Sequence, residues 1–375
     1  MKKKAVSALL CAAMVAGMLA GCGKGSDSGT PSDTSKGDAS NATESASSNL
    51  KDDGKVLNIY CWNEEFKSRI TAHYPDYKEV DATHGKIGDV DVVWNITPSD
   101  DNAYQNNLDA ALLNQQDAPA DDKIDIFLVE ADNALKYVDT DYTAPVKDLG
   151  ITDADLSKQY QYTKDIVTDS KGVLKGVSWQ GCPGVLFYNR DAAKEVLGTD
   201  DPDKVQEALS TWDKFDKVAE QAAAKGYKML SGYDDSYRVF SNNVSAPWVD
   251  SNNKIVIDDN IMKWVDQTKK YTDKGYNNKS SLWDSTWAAD QGPSGKVFGF
   301  FYSTWGINFT LLGNSLATPV KEGGKEEVGN GIYGDYAVCE GPQSYYWGGT
   351  WICAAAGTDN QSLVKDIMLQ MTTND

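Results

Sequence analysis

Short apolar runs that alternate with segments of helical spacing constrain the fold of this chain more than any other feature. Residues 56–60, 91–96 and 124–129 have the composition of buried strands, and helices are predicted from Glu65 and over 102–115. Strands that alternate with helices predict an α/β fold with a mostly parallel sheet covered by helices. Ligands of such folds bind beyond the carboxyl ends of the strands. The side chains that follow these ends are Trp62, Glu64, Glu130 and Asp132.

The N-terminus has the three parts of a signal peptide. Three lysines at positions 2–4 precede an apolar run over 5–19, which is shorter than the roughly 20 residues of a membrane-spanning helix. The sequence Leu19-Ala20-Gly21-Cys22 resembles the lipobox of bacterial lipoproteins. We therefore predict a signal peptide over 1–21, lipidation of Cys22, and a location at the extracellular face of the cell membrane. A soluble secreted protein with an incidental cysteine here is the alternative.

Residues 22–54 are expected to form a flexible tether, because they are almost entirely small and polar and contain no aromatic residue. Loss of the leader's lysines takes the formal charge of −19 to about −22. Such an acidic chain is unsuited to nucleic acid, whose phosphates require a basic surface. It also lacks the polybasic patch that binds anionic lipids. About 320 residues remain after the tether, enough for two lobes.

The sequence contains no histidine or cysteine pattern of a metal site. The chain has only two histidines, and no CxxC or Cys/His spacing of a zinc site is present. No GxxxxGK[ST] loop occurs, so ATP hydrolysis is not expected. We therefore predict no cofactor and no metal.

Five motifs after residue 180 carry a family resemblance. They are Pro183-Gly184-Val185-Leu186-Phe187-Tyr188-Asn189, Thr211-Trp212-Asp213-Lys214-Phe215, Gly295-Lys296-Val297-Phe298, Thr304-Trp305-Gly306 and Gly348-Gly349-Thr350. In this order, and behind a lipobox, they resemble the carbohydrate-binding extracellular solute-binding proteins of ABC importers (family 1), which include maltose-binding protein. The resemblance covers about residues 55–375. Thr211 is also a plausible helix N-cap, with Gly226 as the stop of that helix.

The resemblance implies a two-lobed periplasmic-binding-protein-like fold of type II, in which a hinge joins two mixed sheets flanked by helices. Lobe 1 would span 55–180 and take back a return segment over 340–375, and lobe 2 would span 184–338. Family members continue through further helices after the Gly-Gly-Thr strand, so the C-terminal part of the family fold is expected to be missing. Cys182 and Cys339 would fall on the two neighbouring connections between the lobes. A disulfide between them and two buried free thiols are both open alternatives.

Eleven tryptophans and nineteen tyrosines suggest a sugar site. A sugar ring has an apolar face and a rim of hydroxyls, which fit aromatic platforms together with carboxylates and amides. Core packing is the alternative for any single tryptophan. Trp283 and Trp287 are four residues apart, so they share a face if the segment is helical, and one of them should be buried. The aromatic candidates are Trp62, Trp179, Trp283, Trp305 and Trp347, of which Trp305 matches a cleft aromatic of the family.

The polar candidates come from two loops that match ligand-contacting loops of the family. Glu130 and Asp132 follow the third predicted strand, and a solvated acidic loop is the alternative there. The second-lobe loop over 232–238 supplies Tyr233, Asp235 and Arg238, for which a surface ion pair worth under about 1 kcal/mol is the alternative. Such a lining suits a neutral sugar, because an unpaired buried anion beside carboxylates would be unfavourable.

The sequence thus predicts a monomeric, non-enzymatic binder that captures a carbohydrate between its lobes and delivers it to an ABC permease. The expected carbohydrate is an oligosaccharide. A lipid-tethered binder of this kind resembles those of Gram-positive bacteria. One alternative keeps the fold and changes the solute to a polyamine or another small molecule. Another is a secreted glycoside hydrolase, which needs two carboxylates about 5 to 9.5 Å apart.

Overall fold

Two β-sheets organise the described part of the chain. The structure is a computed structural model that describes residues 50–373. Its strands are β1 (Val56–Cys61), β2 (Tyr77–Glu79), β3 (His84–Ile87), β4 (Val90–Ile96), β5 (Ile124–Glu130), β6 (Val177–Ser178), β7 (Gly184–Asn189), β8 (Gly299–Ser303), β9 (Tyr336–Cys339) and β10 (Thr350–Ala354). One sheet has the order β2-β3-β4-β1-β5-β10-β6, and the other has the order β8-β7-β9.

Helices flank both sheets. They are α1 (Glu65–His73), α2 (Ala103–Asn114), α3 (Ala134–Val138), α4 (Gln161–Ile166), α5 (Arg190–Leu197), α6 (Pro202–Leu209), α7 (Trp212–Ala224), α8 (Tyr237–Ser241), α9 (Asp259–Lys274), α10 (Ser285–Asp290), α11 (Leu312–Asn314) and α12 (Gln361–Thr373). The predicted N-cap of α7 is confirmed, since the Thr211 side chain accepts a hydrogen bond from the amide of Lys214. Within residues 50–373, no helix has both the length and the apolar character needed to cross a bilayer.

The seven-stranded sheet forms the first lobe and contains the three predicted strands as β1, β4 and β5. These three strands are parallel to one another. The remaining pairings are antiparallel, so the expectation of a mostly parallel sheet was wrong. Two features cause the difference: β3 and β4 are joined by a tight turn at Gly88, and β10 returns from the second lobe to lie between β5 and β6. Leu57, Ile126 and Ile352 lie in its core.

The three-stranded sheet forms the second lobe. Its central strand β7 pairs antiparallel with β8 and β9, and a single parallel bridge joins Lys228 to Val297 beside it. The Gly295–Phe298 motif lies just before β8, which starts at Gly299. Gly295 is packed so tightly that a Cβ there would lie 2.0 Å from the carbonyl oxygen of Asp290. A separate aromatic-rich core, which includes Phe215 and Phe301, fills this lobe.

The chain crosses between the lobes twice, once between β6 and β7 and once between β9 and β10. The two crossings run side by side, because Gly184 donates its amide to the carbonyl of Tyr345 (2.8 Å) and Trp347 donates to Cys182 (3.2 Å). Hinges between lobes are typically a few loop or element-terminal residues, as these crossings are. The lobes therefore share a narrow connection, and a cleft lies beside it.

The last residues of the predicted tether belong to the folded part. The amide of Gln361, at the start of α12, donates to the carbonyl of Lys51 (2.8 Å), and that of Gly54 donates to Asp359 (3.1 Å). Asp52 accepts hydrogen bonds from both the amide and the hydroxyl of Ser362. The tether prediction over 22–54 is thus wrong for residues 51–54, which are held by hydrogen bonds. The predicted signal peptide, Cys22 and residues 22–49 lie outside the described residues.

Candidate functional site

A cavity of about 840 Å³ lies in the cleft between the two lobes. Its size is typical of ligand pockets, which run from about 300 to 1,000 Å³. Both lobes contribute to its wall. The first lobe supplies mainly polar side chains, and the second supplies mainly aromatic ones. The lining residues are Trp62, Asn63, Glu65, Arg69, Ser99, Tyr104, Gln105, Leu128, Val129, Glu130, Asp132, Asn133, Tyr137, Gln180, Arg238, Leu282, Trp283, Trp305, Asn308, Phe309, Trp347, Gly348, Gly349 and Thr350.

The first-lobe wall lies at the carboxyl ends of the parallel strands β1 and β5. Trp62 follows β1 and packs edge-on against Tyr104 of α2, with ring centroids 5.5 Å apart. Glu130 ends β5 beside β10. Successive parallel strands bring their carboxyl ends to one edge of a sheet, which explains why residues far apart in sequence meet here.

Glu130 is the carboxylate deepest in this wall. Its Oε2 atom accepts a hydrogen bond from the amide of Asp132 (2.7 Å). Burial and the nearby charge of Asp132 raise the pKa of Glu130 to about 7. Gly348, with φ of +74°, lies beside it. A Cβ there would be 3.1 Å from the indole nitrogen of Trp305 and 3.7 Å from Glu130 Oε1. The Gly-Gly-Thr motif therefore lets backbone, indole and carboxylate approach one another.

The second-lobe wall is a cluster of aromatic rings. The rings of Trp283 and Trp305 are stacked, with centroids 6.0 Å apart and planes at 20°. Trp347 meets Trp305 edge-on at 5.2 Å, and its carbonyl accepts a hydrogen bond from the Trp305 indole (2.7 Å). Phe309 packs edge-on against both Trp283 and Trp305. Flat apolar surfaces with fixed orientations line this side of the cavity.

An ion pair joins the two walls. Arg238, at the start of α8, donates two hydrogen bonds to the carboxylate of Asp132, and one of them measures 2.5 Å. The guanidinium lies 5.9 Å from the ring of Trp347, within reach of a cation–π contact. The predicted loops over 130–132 and 232–238 do meet at the cleft, although only Arg238 of the second loop takes part.

Seven of the sequence candidates lie together in this cavity wall. The condition for Trp283 and Trp287 to share a helix face is not met, because Trp283 precedes α10, but the two rings still contact with centroids 5.2 Å apart. The expectation that one of the pair is buried is confirmed by Trp287. The seven are Trp62, Glu130, Asp132, Arg238, Trp283, Trp305 and Trp347.

Four candidates lie elsewhere. Asp235 is buried inside the second lobe, where it accepts hydrogen bonds from the amides of Ser231 and Gly232 and from the Trp287 indole. Trp179 stacks on Phe66 in the first-lobe core at 5.0 Å. Glu64 and Tyr233 are exposed outside the cavity wall. A loop sequence does not fix which way its side chains point, and here Asp235 turns inward to satisfy backbone amides.

Several residues of the cavity wall were not predicted from the sequence. Gln105 lies in the first turn of α2, and its Oε1 atom is buried without a hydrogen-bond partner among the described residues. Gln180 donates to Glu65 (2.9 Å), which also lies 3.7 Å from Arg69. The one signal for Gln105 and Glu65 was position, since both begin helices that follow strand ends.

The four cysteines within residues 50–373 are free thiols. Cys61, Cys182, Cys339 and Cys353 are all buried and unbridged. Of the two alternatives for Cys182 and Cys339, the structure has the free thiols. Burial raises the pKa of both to about 11. Within residues 50–373, no three or more His, Cys, Asp or Glu side chains lie close enough together to hold a metal ion.

Two α/β lobes with a ligand-sized cleft beside a double crossing define a two-lobed binding protein. The model of the family described as "Bacterial extracellular solute-binding protein" matches residues 79–375, and this chain belongs to that family. The family consists of extracellular transport binding proteins rather than enzymes. No curated protein matches the chain.

Solved structures of the same fold are similar over most of their length. An extracellular solute-binding protein of family 1 has a TM-score of 0.63 at 14% identity, over 84% of this chain and 74% of that chain. The Bifidobacterium longum galacto-N-biose/lacto-N-biose I-binding protein, solved with lacto-N-biose, has a TM-score of 0.58 at 14% identity over 86% and 76%. A Staphylococcus aureus solute-binding protein, solved with maltose, has a TM-score of 0.54 at 18% identity over 86% and 77%.

Proposed function

We propose that this chain is a lipid-anchored extracellular receptor that captures a carbohydrate in its cleft and delivers it to the permease of an ABC importer. One observation carries the proposal: an aromatic wall on the second lobe faces a polar wall on the first across a cavity of about 840 Å³. A solute with an apolar face and a hydroxyl rim matches both walls at once. Similar folds that bind maltose and lacto-N-biose support the choice of solute.

The cavity has room for an oligosaccharide of a few rings. The stacked indoles offer surfaces of the right shape for the apolar faces of successive rings. Carboxylate, amide and guanidinium groups of the opposite wall can accept from and donate to hydroxyls. Asp132 is already neutralised by Arg238, which favours an uncharged solute over a polyamine. The proposed ligand-binding residues are Trp62, Glu130, Asp132, Arg238, Trp283, Trp305 and Trp347.

The proposed mechanism is closure of the lobes around the solute. A ligand that contacts both walls binds the closed form more tightly than the open one, so it shifts the equilibrium toward closure. The closed monomer then docks on the membrane permease, where the energy for transport enters. The receptor itself leaves the sugar chemically unchanged.

The anchor is a lipid on Cys22 in a Gram-positive cell. The lipobox and the extracellular family support this part of the proposal. A tethered receptor stays at a high effective concentration beside its permease. Radiolabelled palmitate should label the parent chain and leave Cys22→Ala unlabelled in a Gram-positive host, and a labelled Cys22→Ala would contradict the anchor.

A thermal-shift screen of the parent chain tests the solute. Maltose, lacto-N-biose, glucose and galactose are compared with spermidine, since a compound that binds only the native state raises the melting temperature. At least one sugar should raise it. Trp305→Ala should abolish that response, whereas Trp248→Ala, which removes an exposed tryptophan outside the cavity wall, should retain it.

A response to spermidine alone would overturn the carbohydrate proposal. Recovery of the responding sugar after overnight incubation tests the remaining alternative. An intact sugar is expected, and cleavage into smaller sugars would point to a hydrolase.

A further inference from the structure

Trp283 has a backbone conformation that bulky residues avoid. Its φ is +73°, in the left-handed region where Gly, Asn and Asp are the usual occupants. The side chain is nevertheless 54% exposed, so burial of the ring does not explain the conformation. A strained backbone that persists at a ligand cleft is often part of the function of that cleft.

Hydrogen bonds fix the backbone on both sides of Trp283. The amide of Leu282 donates to Oδ1 of Asp234 (3.0 Å). The two carboxylate oxygens of Asp284 accept from the amides of Ser281 (2.9 Å) and Trp287 (2.7 Å), which closes the turn and starts α10. The indole is therefore held by its neighbours in the chain before any solute arrives.

The ring of Trp283 is supported from behind. It packs edge-on against the buried Trp287 at 5.2 Å and stacks on Trp305. Trp287 is itself fixed by Oδ1 of Asp235, which accepts from the indole nitrogen (3.1 Å). Asp234 thus acts on Trp283 through the backbone of Leu282, and Asp235 acts on it through the ring of Trp287.

We propose that Trp283 is a preorganised stacking platform for one ring of the solute, and that Asp234 and Asp235 are positioning residues for it. The inference rests on the proposed function, because it assigns a role within the same cleft. The loop over 232–236 then affects affinity without touching the solute. A platform fixed in advance loses little conformational freedom on binding, which favours tight binding.

A pair of substitutions separates strain from stacking. Trp283→Gly and Trp283→Ala remove the same ring, but only glycine accepts a positive φ without strain. The glycine variant should melt about 2 °C above the alanine variant. At Trp248, which is exposed and lacks a positive φ, the order should reverse, since Gly is normally the less stable of the two.

The same variants are titrated by calorimetry with maltose, lacto-N-biose and spermidine. Both Trp283 variants should raise the dissociation constant of the responding compound by about tenfold or more. A tenfold rise corresponds to about 1.4 kcal/mol. Both Trp248 variants should bind as the parent does. Unchanged affinity in Trp283→Ala would overturn the proposed platform. A Trp283→Gly variant that melts below Trp283→Ala would overturn it as well.

Asp234 provides a readout that a purely structural role would not give. Asp234→Ala should weaken binding, because Leu282 loses its acceptor, and Asp234→Asn should restore it, since the amide oxygen still accepts that single hydrogen bond. Equal affinities for the alanine variant and the parent would overturn the positioning role. If spermidine alone binds and Trp283→Ala abolishes that binding, the platform stands while the carbohydrate function fails. If the parent binds none of the three compounds, both proposals are overturned.

Discussion

Arg238 of the second lobe holds the carboxylate of Asp132 of the first lobe through two parallel hydrogen bonds. The pair spans the cavity, so it bears on the equilibrium between open and closed lobes as well as on the solute. It is partly exposed, with 26% of the arginine and 49% of the aspartate side chain accessible. Exposed pairs contribute modestly and are screened by salt.

The first prediction concerns this ion pair. A double-mutant cycle with Asp132→Ala and Arg238→Ala should give a coupling free energy of about 0.5–1 kcal/mol at low salt. The coupling should shrink in 0.5 M NaCl, because the charges are partly accessible to counter-ions. Thermal or denaturant unfolding of the four proteins measures it. Lys86 and Asp91, an exposed ion pair within the first lobe, are the matched control. Substitutions in the cleft pair should alter the affinity for the solute, and those in the control pair should not.

The second prediction concerns pH. Burial raises the pKa of Glu130 to about 7, above its unfolded value near 4.5. Between pH 4.5 and pH 7 the folded state therefore binds more protons than the unfolded state. The contribution of protonated Glu130 to the free energy of unfolding is complete below the unfolded pKa and is lost as pH rises through about 7. Asp125 and Asp235, with pKa values raised by burial to about 6 and about 7, act in the same direction. The parent should be more stable at pH 5.5 than at pH 8.

The variant Glu130→Gln isolates the contribution of the Glu130 carboxyl group to this pH dependence. The amide does not titrate, so the difference in melting temperature between pH 5.5 and pH 8 should shrink by about 2 °C or more. Glu326→Gln, at an exposed position outside the cavity wall, is the matched control. An unaltered pH profile in Glu130→Gln would mean that this carboxyl is solvated.

The third prediction concerns the thiols. The four cysteines from 61 to 353 are buried, and the pKa values of Cys182 and Cys339 are raised to about 11, so little thiolate exists at neutral pH. Iodoacetamide at pH 8 should leave these positions unmodified in the native protein and should modify all four in urea without reductant. Mass spectrometry counts the adducts. Two fewer adducts in the unfolded, unreduced protein would indicate the disulfide.

The fourth prediction concerns the residues before β1. A chain that begins at Val56 loses the hydrogen bonds that Lys51, Asp52 and Gly54 make with the segment before and at the start of α12. It should melt several degrees below a chain that begins at Leu50, because each lost hydrogen bond contributes about 1 kcal/mol. Equal melting temperatures for the two chains would show that this contact does not contribute to stability.

Local patterns predicted much of the fold. β1, β4 and β5, and the helices after β1 and β4, follow from apolar periodicity, since burial on a core imposes that spacing. The position of β10 does not follow. It enters the first sheet after the whole second lobe, and pairing between residues so far apart leaves no local signal. The mixed strand directions depend on that insertion and on the β3–β4 turn at Gly88.

The aromatic half of the site was easier to predict than the polar half. Trp283, Trp305 and Trp347 belong to one cluster because large apolar rings pack together wherever the backbone allows. Asp235 was expected in the cleft but lies inside the second lobe. Adjacent polar residues in a loop can point in opposite directions, and only the fold determines the direction of each. Gln105 was missed since one polar residue on a helix resembles any solvated position.

Both ends of the described chain belong to the first lobe. Lys51 and Asp52 are hydrogen-bonded to the start of α12, and within the described residues the second lobe is joined to the first by the paired crossings and by the Arg238–Asp132 ion pair. A force applied along the chain ahead of residue 50 is therefore borne by the first lobe alone. If Cys22 carries the proposed lipid, tension from the membrane is transmitted to the first lobe and leaves the second lobe free to rotate about the crossings.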